Sequence, residues 1–127
     1  MRADAKWSWN LMHEMGIVQS MLDIIEDQAK SHNVKKVVRI NLEFGVLTAV
    51  MPDAIRFAFE VLSKDGIAEG AELEITMIPI KAYCLDCGEI HIMDEYQPFC
   101  PSCDSAALQI VEGRAEMRVA SMEVDDR

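Results

Sequence analysis

All four cysteines of the chain lie in one short stretch, Cys84-Leu-Asp-Cys87 and Cys100-Pro-Ser-Cys103, with twelve residues between the two pairs. Each Cys-x-x-Cys forms a tight knuckle that presents two sulfurs to one ion, so two such pairs across a short loop have the spacing of a four-thiolate metal site. Tetrahedral zinc is the default occupant. Gly88 supplies the backbone freedom that a knuckle needs, and Pro98 and Pro101 stiffen the second one. Such a stretch folds around its metal, as an appendage to a domain that has a core of its own.

Other uses of four cysteines fit less well. Two disulfides suit a secreted mini-protein, but no charged and apolar leader opens this sequence, and its cysteines are too sparse for a disulfide scaffold. A redox-active pair normally stands alone at a helix start. A rubredoxin-like iron site shares the ligand geometry and remains an alternative to zinc.

Length and charge narrow the field. At 127 residues the chain can hold one ordinary domain, or a small core domain with a metal-stapled module. No apolar run reaches the length of a membrane span. Twelve basic residues against twenty-two acidic ones give a net charge of −10, and the cysteine loop itself carries Asp86, Glu89, Asp94 and Glu95. Zinc ribbons that bind nucleic acid place Lys and Arg near the knuckles, so this balance argues against a phosphate backbone as partner. A basic protein partner or a cation is compatible with it.

Residues 1–11 show no clear periodicity and read as an N-terminal extension. Met15, Val18, Leu22, Ile25 and Ala29 then fall on one helical face, broadened by Ile17, Met21 and Ile24, with Glu14, Asp23, Glu26, Asp27 and Lys30 assigned to water. This predicts an amphipathic helix from about 14 to 31, ended by Asn33. From Lys35 the period becomes two. Val38, Ile40, Leu42 and Phe44 define the apolar face of a strand that Gly45 interrupts. Pro52 and Asp53 open a second helix with Ile55, Ala58, Phe59 and Leu62 inward, and Gly66 and Gly70 mark its exit. Leu73, Ile75 and Met77 alternate in a second strand, and Met117, Val119 and Ser121 in a third that reaches Val124. The expected fold is α+β: a small three-stranded sheet with two helices, carrying an inserted four-cysteine, zinc-ribbon-like module. The expected division is 1–11 as extension, 12–80 with 108–127 as the α+β domain, and 81–107 as the zinc module.

A second constellation stands at Met12-His13-Glu14, an imidazole and a carboxylate on adjacent residues. If Met12 were the mature first residue, its amine would complete a nitrogen-rich site of the kind preferred by nickel(II) or copper(II). By chemistry alone, a histidine near a helix start is more often solvated or a local hydrogen-bonding group.

These pieces together, with the strand ending Asn41-Leu-Glu-Phe-Gly45, Arg56-Phe-Ala-Phe-Glu60, Ala68-Glu-Gly-Ala-Glu-Leu73, Cys-x-x-Cys-Gly and Cys-Pro-x-Cys, make the chain from Met12 to about Val124 resemble the HypA/HybF family of hydrogenase maturation factors. The resemblance implies a cytoplasmic nickel metallochaperone that delivers Ni(II) to the large subunit of a [NiFe] hydrogenase, working with a partner GTPase. Related proteins in some organisms serve urease. The resemblance further implies nickel at His13, with Met12 and Glu14 nearby, and structural zinc at Cys84, Cys87, Cys100 and Cys103. Family members begin at the methionine of Met-His-Glu, so translation from Met12, or removal of the extension, is expected here. Where some members have an acidic nickel ligand after the first strand, this chain has Met51, and Asp53 is the nearest carboxylate. His91 could exchange with a thiolate, although a solvated loop histidine is the plainer reading, and His32 is assigned no metal.

No nucleophile–base pair, phosphate-cradling loop or paired catalytic carboxylates stand out, so a carrier is expected and not an enzyme. Plain and swapped homodimers are both compatible with the sequence. The alternative is a zinc-ribbon adaptor that binds protein or nucleic acid, with His13 incidental.

Overall fold

The structure is a computed structural model; it describes the backbone of residues 2–125 and the side chains of residues 13–125. The elements in chain order are α1 (Arg2–Ser31), β1 (Lys36–Gly45), a 3-10 turn (Val46–Thr48), α2 (Pro52–Leu62), β2 (Glu72–Ile78), β3 (Ile80–Cys84), β4 (Ile90–Met93), β5 (Leu108–Glu112) and β6 (Met117–Asp125). They form two three-stranded sheets, ordered β2-β1-β6 and β4-β3-β5. The chain divides into two compact units: one from the described residues of Met1–Leu42, Val50–Ile75 and Val119–Arg127, the other from Glu43–Ala49 and Thr76–Arg118.

The first unit holds both helices. Val18, Met21, Leu22, Ile25 and Ala29 of α1 are buried, as are Ala54, Ile55, Ala58 and Phe59 of α2, and the two helices pack on one another. Helix α1 stops as the sequence predicts. Asn33 takes the left-handed conformation with φ 55°, Asn33 N–H donates to Lys30 O at 3.2 Å and Val34 N–H to Ala29 O at 2.9 Å, a Schellman closure. Pro52 and Asp53 occupy the first turn of α2.

Several details depart from the sequence reading, and in β6 the expected alternation of Met117, Val119 and Ser121 fails: Val119, Met122 and Val124 are half-buried, and Met117 and Ser121 are exposed. Helix α1 begins at Arg2, not near residue 14, and residues 2–11 contain neither glycine nor proline to interrupt it. At 100° per residue Ile24 lies roughly 120° from the centre of the buried stripe, and it is 53 % exposed. By the same geometry Glu14, assigned to water on residue type, lies only about 40° from that centre, and it is buried. In β1 the entry is out of phase with the expected alternation. Val37 is fully buried and its N–H donates to Ile67 O at 3.0 Å, while Val38 is left 42 % exposed.

The second unit is the smaller sheet. Strand β3 pairs antiparallel with β4, placing Ala82 opposite His91 and Tyr83 opposite Ile90, and with β5, placing Ala82 opposite Ile110 and Cys84 opposite Leu108. Its apolar centre is slight: Ile80, Ala82 and Met93 are buried, with Val46, Leu108 and Ile110 packed against them. Gly113, at φ +87°, is required where it stands, because a Cβ there would lie 2.5 Å from Pro79 O and 2.8 Å from Ile80 Cα. A centre this small needs a staple.

Candidate metal centres

The staple lies at the end of β3. The Sγ atoms of Cys84, Cys87, Cys100 and Cys103 all lie within 4.8 Å of one another, and none of the four is in a disulfide. The Cys84–Cys103 separation is 3.6 Å and the Cys87–Cys100 separation 3.7 Å. Four sulfurs at a Zn–S distance of about 2.3 Å around a tetrahedral ion are separated by about 3.8 Å. The cluster fits zinc. Among the described residues no other group of three or more His, Cys, Asp or Glu donors comes together in this way.

The two knuckles repeat one backbone pattern at an offset of sixteen residues. Cys84 N–H donates to Glu89 O at 2.9 Å and Gly88 N–H to Cys84 O at 2.9 Å; Cys100 N–H donates to Ser105 O at 2.8 Å and Asp104 N–H to Cys100 O at 2.8 Å. The fifth residue of each loop is left-handed, Gly88 at φ 77° and Asp104 at φ 64°. Side chains then tie the loops together reciprocally. Ser102 Oγ donates to Glu89 Oε2 at 2.7 Å, and Ser105 Oγ donates to Asp86 Oδ2. The carboxylates that set this loop apart from nucleic-acid-binding ribbons therefore include two that close the knuckles.

Electrostatics shows why such a cluster calls for a cation. The N–H of Cys87 stabilises the Cys84 thiolate and, with that of Asp86, overrides burial to lower its pKa to about 7. At Cys103 the N–H of Ser105 favours the thiolate, but burial and the neighbouring Cys84, Cys100 and Cys87 sulfurs outweigh it and push the thiol up to about 12; Cys87 is raised as well. One sulfur ionises readily, the next resists, and only a bound cation lets all four be thiolates. Zinc held by four such ligands is closed to further coordination and supplies folding energy, not reactivity.

Beside the cluster, His91 on β4 places Nε2 at 3.4 Å from Cys100 Sγ and at 3.9 Å from Glu89 Oε2. It lies outside the four-sulfur group.

The residues of the second constellation are placed differently. His13 is exposed on α1. Glu14, one residue on and therefore about 100° around the helix, is 3 % exposed, and its Oε2 accepts Met51 N–H at 2.5 Å. Met51 is the N-cap residue of α2 and its side chain makes no cap bond. Glu14 thus does from another helix what an N3 glutamate does in a capping box. Its Oε1 is buried without a hydrogen-bond partner among the described residues. Asp53 is exposed in the first turn of α2, and the structure does not gather it with His13 and Glu14 into a group of the cysteine kind. The side chain of Met12 lies outside the described residues. His32 Nδ1 lies 2.9 Å from Gln28 O, a local helix-end contact.

Fold and site together define a small α+β metalloprotein with a thiolate-closed module. Comparison with known proteins makes this specific. A family model described as hydrogenase/urease nickel incorporation, metallochaperone, hypA matches residues 12–124. The chain belongs to the HypA family of nickel metallochaperones that serve hydrogenase maturation. It is 40 % identical over 114 residues to a hydrogenase maturation factor HypA of Acidithiobacillus ferrooxidans, covering 90 % of this chain and 100 % of that protein, and 37 % identical over 114 residues, with the same coverage, to the hydrogenase maturation factor HybF of Proteus vulgaris. Its fold is similar to the solution structure of the Ni metallochaperone HypA from Helicobacter pylori, with a TM-score of 0.62, 25 % identity, and coverage of 87 % of this chain and 96 % of that one. The family resemblance read from the motifs is borne out.

Proposed function

We propose that this chain carries Ni(II) to the large subunit of a [NiFe] hydrogenase, in concert with a nickel-handling GTPase, and that it acts in the cytoplasm as a carrier without turnover. The observation that carries this reading is the match to the nickel metallochaperone family across residues 12–124. Among the described residues, no helix is long and apolar enough to cross a membrane. On this reading nickel is the cargo of the α+β domain, 12–80 with 108–127, and zinc stays in the module 81–107, held by Cys84, Cys87, Cys100 and Cys103. Association into a homodimer is compatible with either role.

His13 is the proposed imidazole ligand for nickel. Its exposure suits an ion that must be handed on, since a ligand exchange needs a second protein to reach the metal. Glu14, anchored on Met51 N–H, fixes the neighbouring turn of α1 against the start of α2, so the imidazole projects from a held segment. Asp53 is a further candidate carboxylate. Amide nitrogens inside a helix donate to carbonyls four residues back and are not free to bind metal. With α1 starting at Arg2, the amine of Met12 and the first amides become ligands only in a chain that begins at Met12, where the family match begins.

Equilibrium dialysis against nickel with total metal analysis tests this. His13→Ala should abolish nickel binding and leave zinc content unchanged, and a chain beginning at Met12 should bind nickel more tightly than one beginning at Met1. Loss of both metals from His13→Ala would make His13 a structural residue. Absence of nickel uptake by the chain beginning at Met12 would overturn the reading.

A further inference from the structure

The repeat of the knuckles makes one break in it conspicuous. Leu85 N–H donates to Ala107 O at 2.9 Å. Sixteen residues on, the counterpart of Leu85 is Pro101, which has no N–H to give, and sixteen residues back the counterpart of Ala107 is His91. Where one half of the site has a backbone hydrogen bond, the other has an imidazole 3.4 Å from Cys100 Sγ. The residue at the matching position in the other half, Ala107, has no side-chain donor to offer Cys84, the counterpart of Cys100.

We propose that His91 is a positioning residue for the cysteine-bound metal: its Nε2–H donates to the Cys100 thiolate and makes the two knuckles unequal as ligands. This rests on the reading that the four cysteines hold zinc. A metal-bound thiolate only accepts, so the ring nitrogen must be the donor. Glu89 Oε2, at 3.9 Å, is beyond hydrogen-bond reach of that nitrogen and is already taken by Ser102 Oγ. The histidine is three-quarters or more shielded, at 17 % side-chain exposure, so water replaces this contact poorly. Four thiolates on one divalent ion carry an excess of negative charge, and a donor aimed at one sulfur relieves it. That sulfur gives less electron density to the metal than its three companions. Antiparallel pairing with β3 holds the His91 backbone opposite Ala82, two residues before Cys84.

The test uses the full chain with zinc, and with cobalt(II) in its place as a coloured reporter, in His91→Phe, which keeps a ring and loses the donor, and His91→Gln, which keeps a donor and loses the imidazole. Competition with a chelator should show zinc affinity reduced roughly 10–100-fold in His91→Phe and recovered in good part in His91→Gln. The sulfur-to-cobalt charge-transfer bands of His91→Phe should move to lower energy, because a thiolate freed of its donor gives electrons more readily. Unchanged affinity with unchanged bands in His91→Phe would overturn the proposal, as would equal impairment of both variants with bands in the parent position, the mark of packing alone. If the parent chain took up neither zinc nor cobalt, the zinc reading beneath the proposal would be the one to fall.

Discussion

The two compact units are stabilised in different ways. The α+β unit buries a continuous set of side chains from two helices and a sheet, among them Val18, Ile25, Ile40, Ile55 and Phe59. The β4-β3-β5 unit buries Ile80, Ala82 and Met93, and leaves Tyr83, Leu85, Ile90, Ile92 and Phe99 exposed. With so little apolar area removed from water, its shape depends on four sulfurs brought to one point. One unit keeps its form through side-chain packing, the other through coordination, and a carrier that must release one metal while retaining another benefits from that separation.

The largest expected effect breaks the comparison outright. Stripping zinc with a strong chelator, or making Cys100→Ser, should abolish amide-exchange protection across β3, β4 and β5 while leaving that of α1 and α2 near its original level. Equal loss in both units would show that they fold as one. A core truncation is the converse. Ile55→Ala should cost about 3 kcal/mol in denaturant unfolding of the α+β unit and leave zinc stoichiometry untouched. Glu14→Ala, which removes the acceptor of the part-buried Met51 N–H, should cost about 1–2 kcal/mol and loosen the start of α2, read as faster exchange at Ile55 and its neighbours.

The smallest effect concerns pH. Gly113 N–H donates to Glu116 Oε2 at 3.0 Å, and this bond holds the Glu116 carboxyl below its ordinary 4.5. A carboxylate whose folded pKa is depressed stabilises the fold above the ordinary value and loses that contribution as pH falls through the lowered one. Glu116→Gln should therefore be less stable than the parent at about pH 7, with the gap narrowing below about pH 4.5; taking the difference between the two proteins cancels the acid release of zinc common to both. A gap independent of pH would assign the effect to packing around Gly45, which the carboxylate also abuts.

Much of this was legible in the residues because periodicity and turn chemistry act locally. The buried faces of both helices, the Asn33 closure, Pro52 in the first turn of α2 and the three long strands all follow from patterns within a few residues. The cysteine cluster was legible for a different reason: two knuckles at this spacing have few other ways to use four thiols. What escaped depends on position more than on type. Glu14 carries a charge, which by residue type points it to water, yet its angle on the helix puts it in the buried arc, and its partner is thirty-seven residues away. Strands β4 and β5, four and five residues long, are too short for an alternation to stand out. The reciprocal serine–carboxylate ties and the His91–Cys100 contact join the loops across the site, and nothing in either loop alone announces them.

That reciprocity has a consequence for how freely the module could be rewritten. Acid occupies the third and sixth places of one loop, serine the third and sixth of the other, and each acid meets the serine of the opposite place. Transplanting residues 84–89 and 100–105 into each other's locations would keep both serine–carboxylate ties and lose the Leu85 N–H bond to Ala107 O, so a chain with its two clasps interchanged should still close with one backbone bond fewer. The order in which they are threaded matters less than their complementarity.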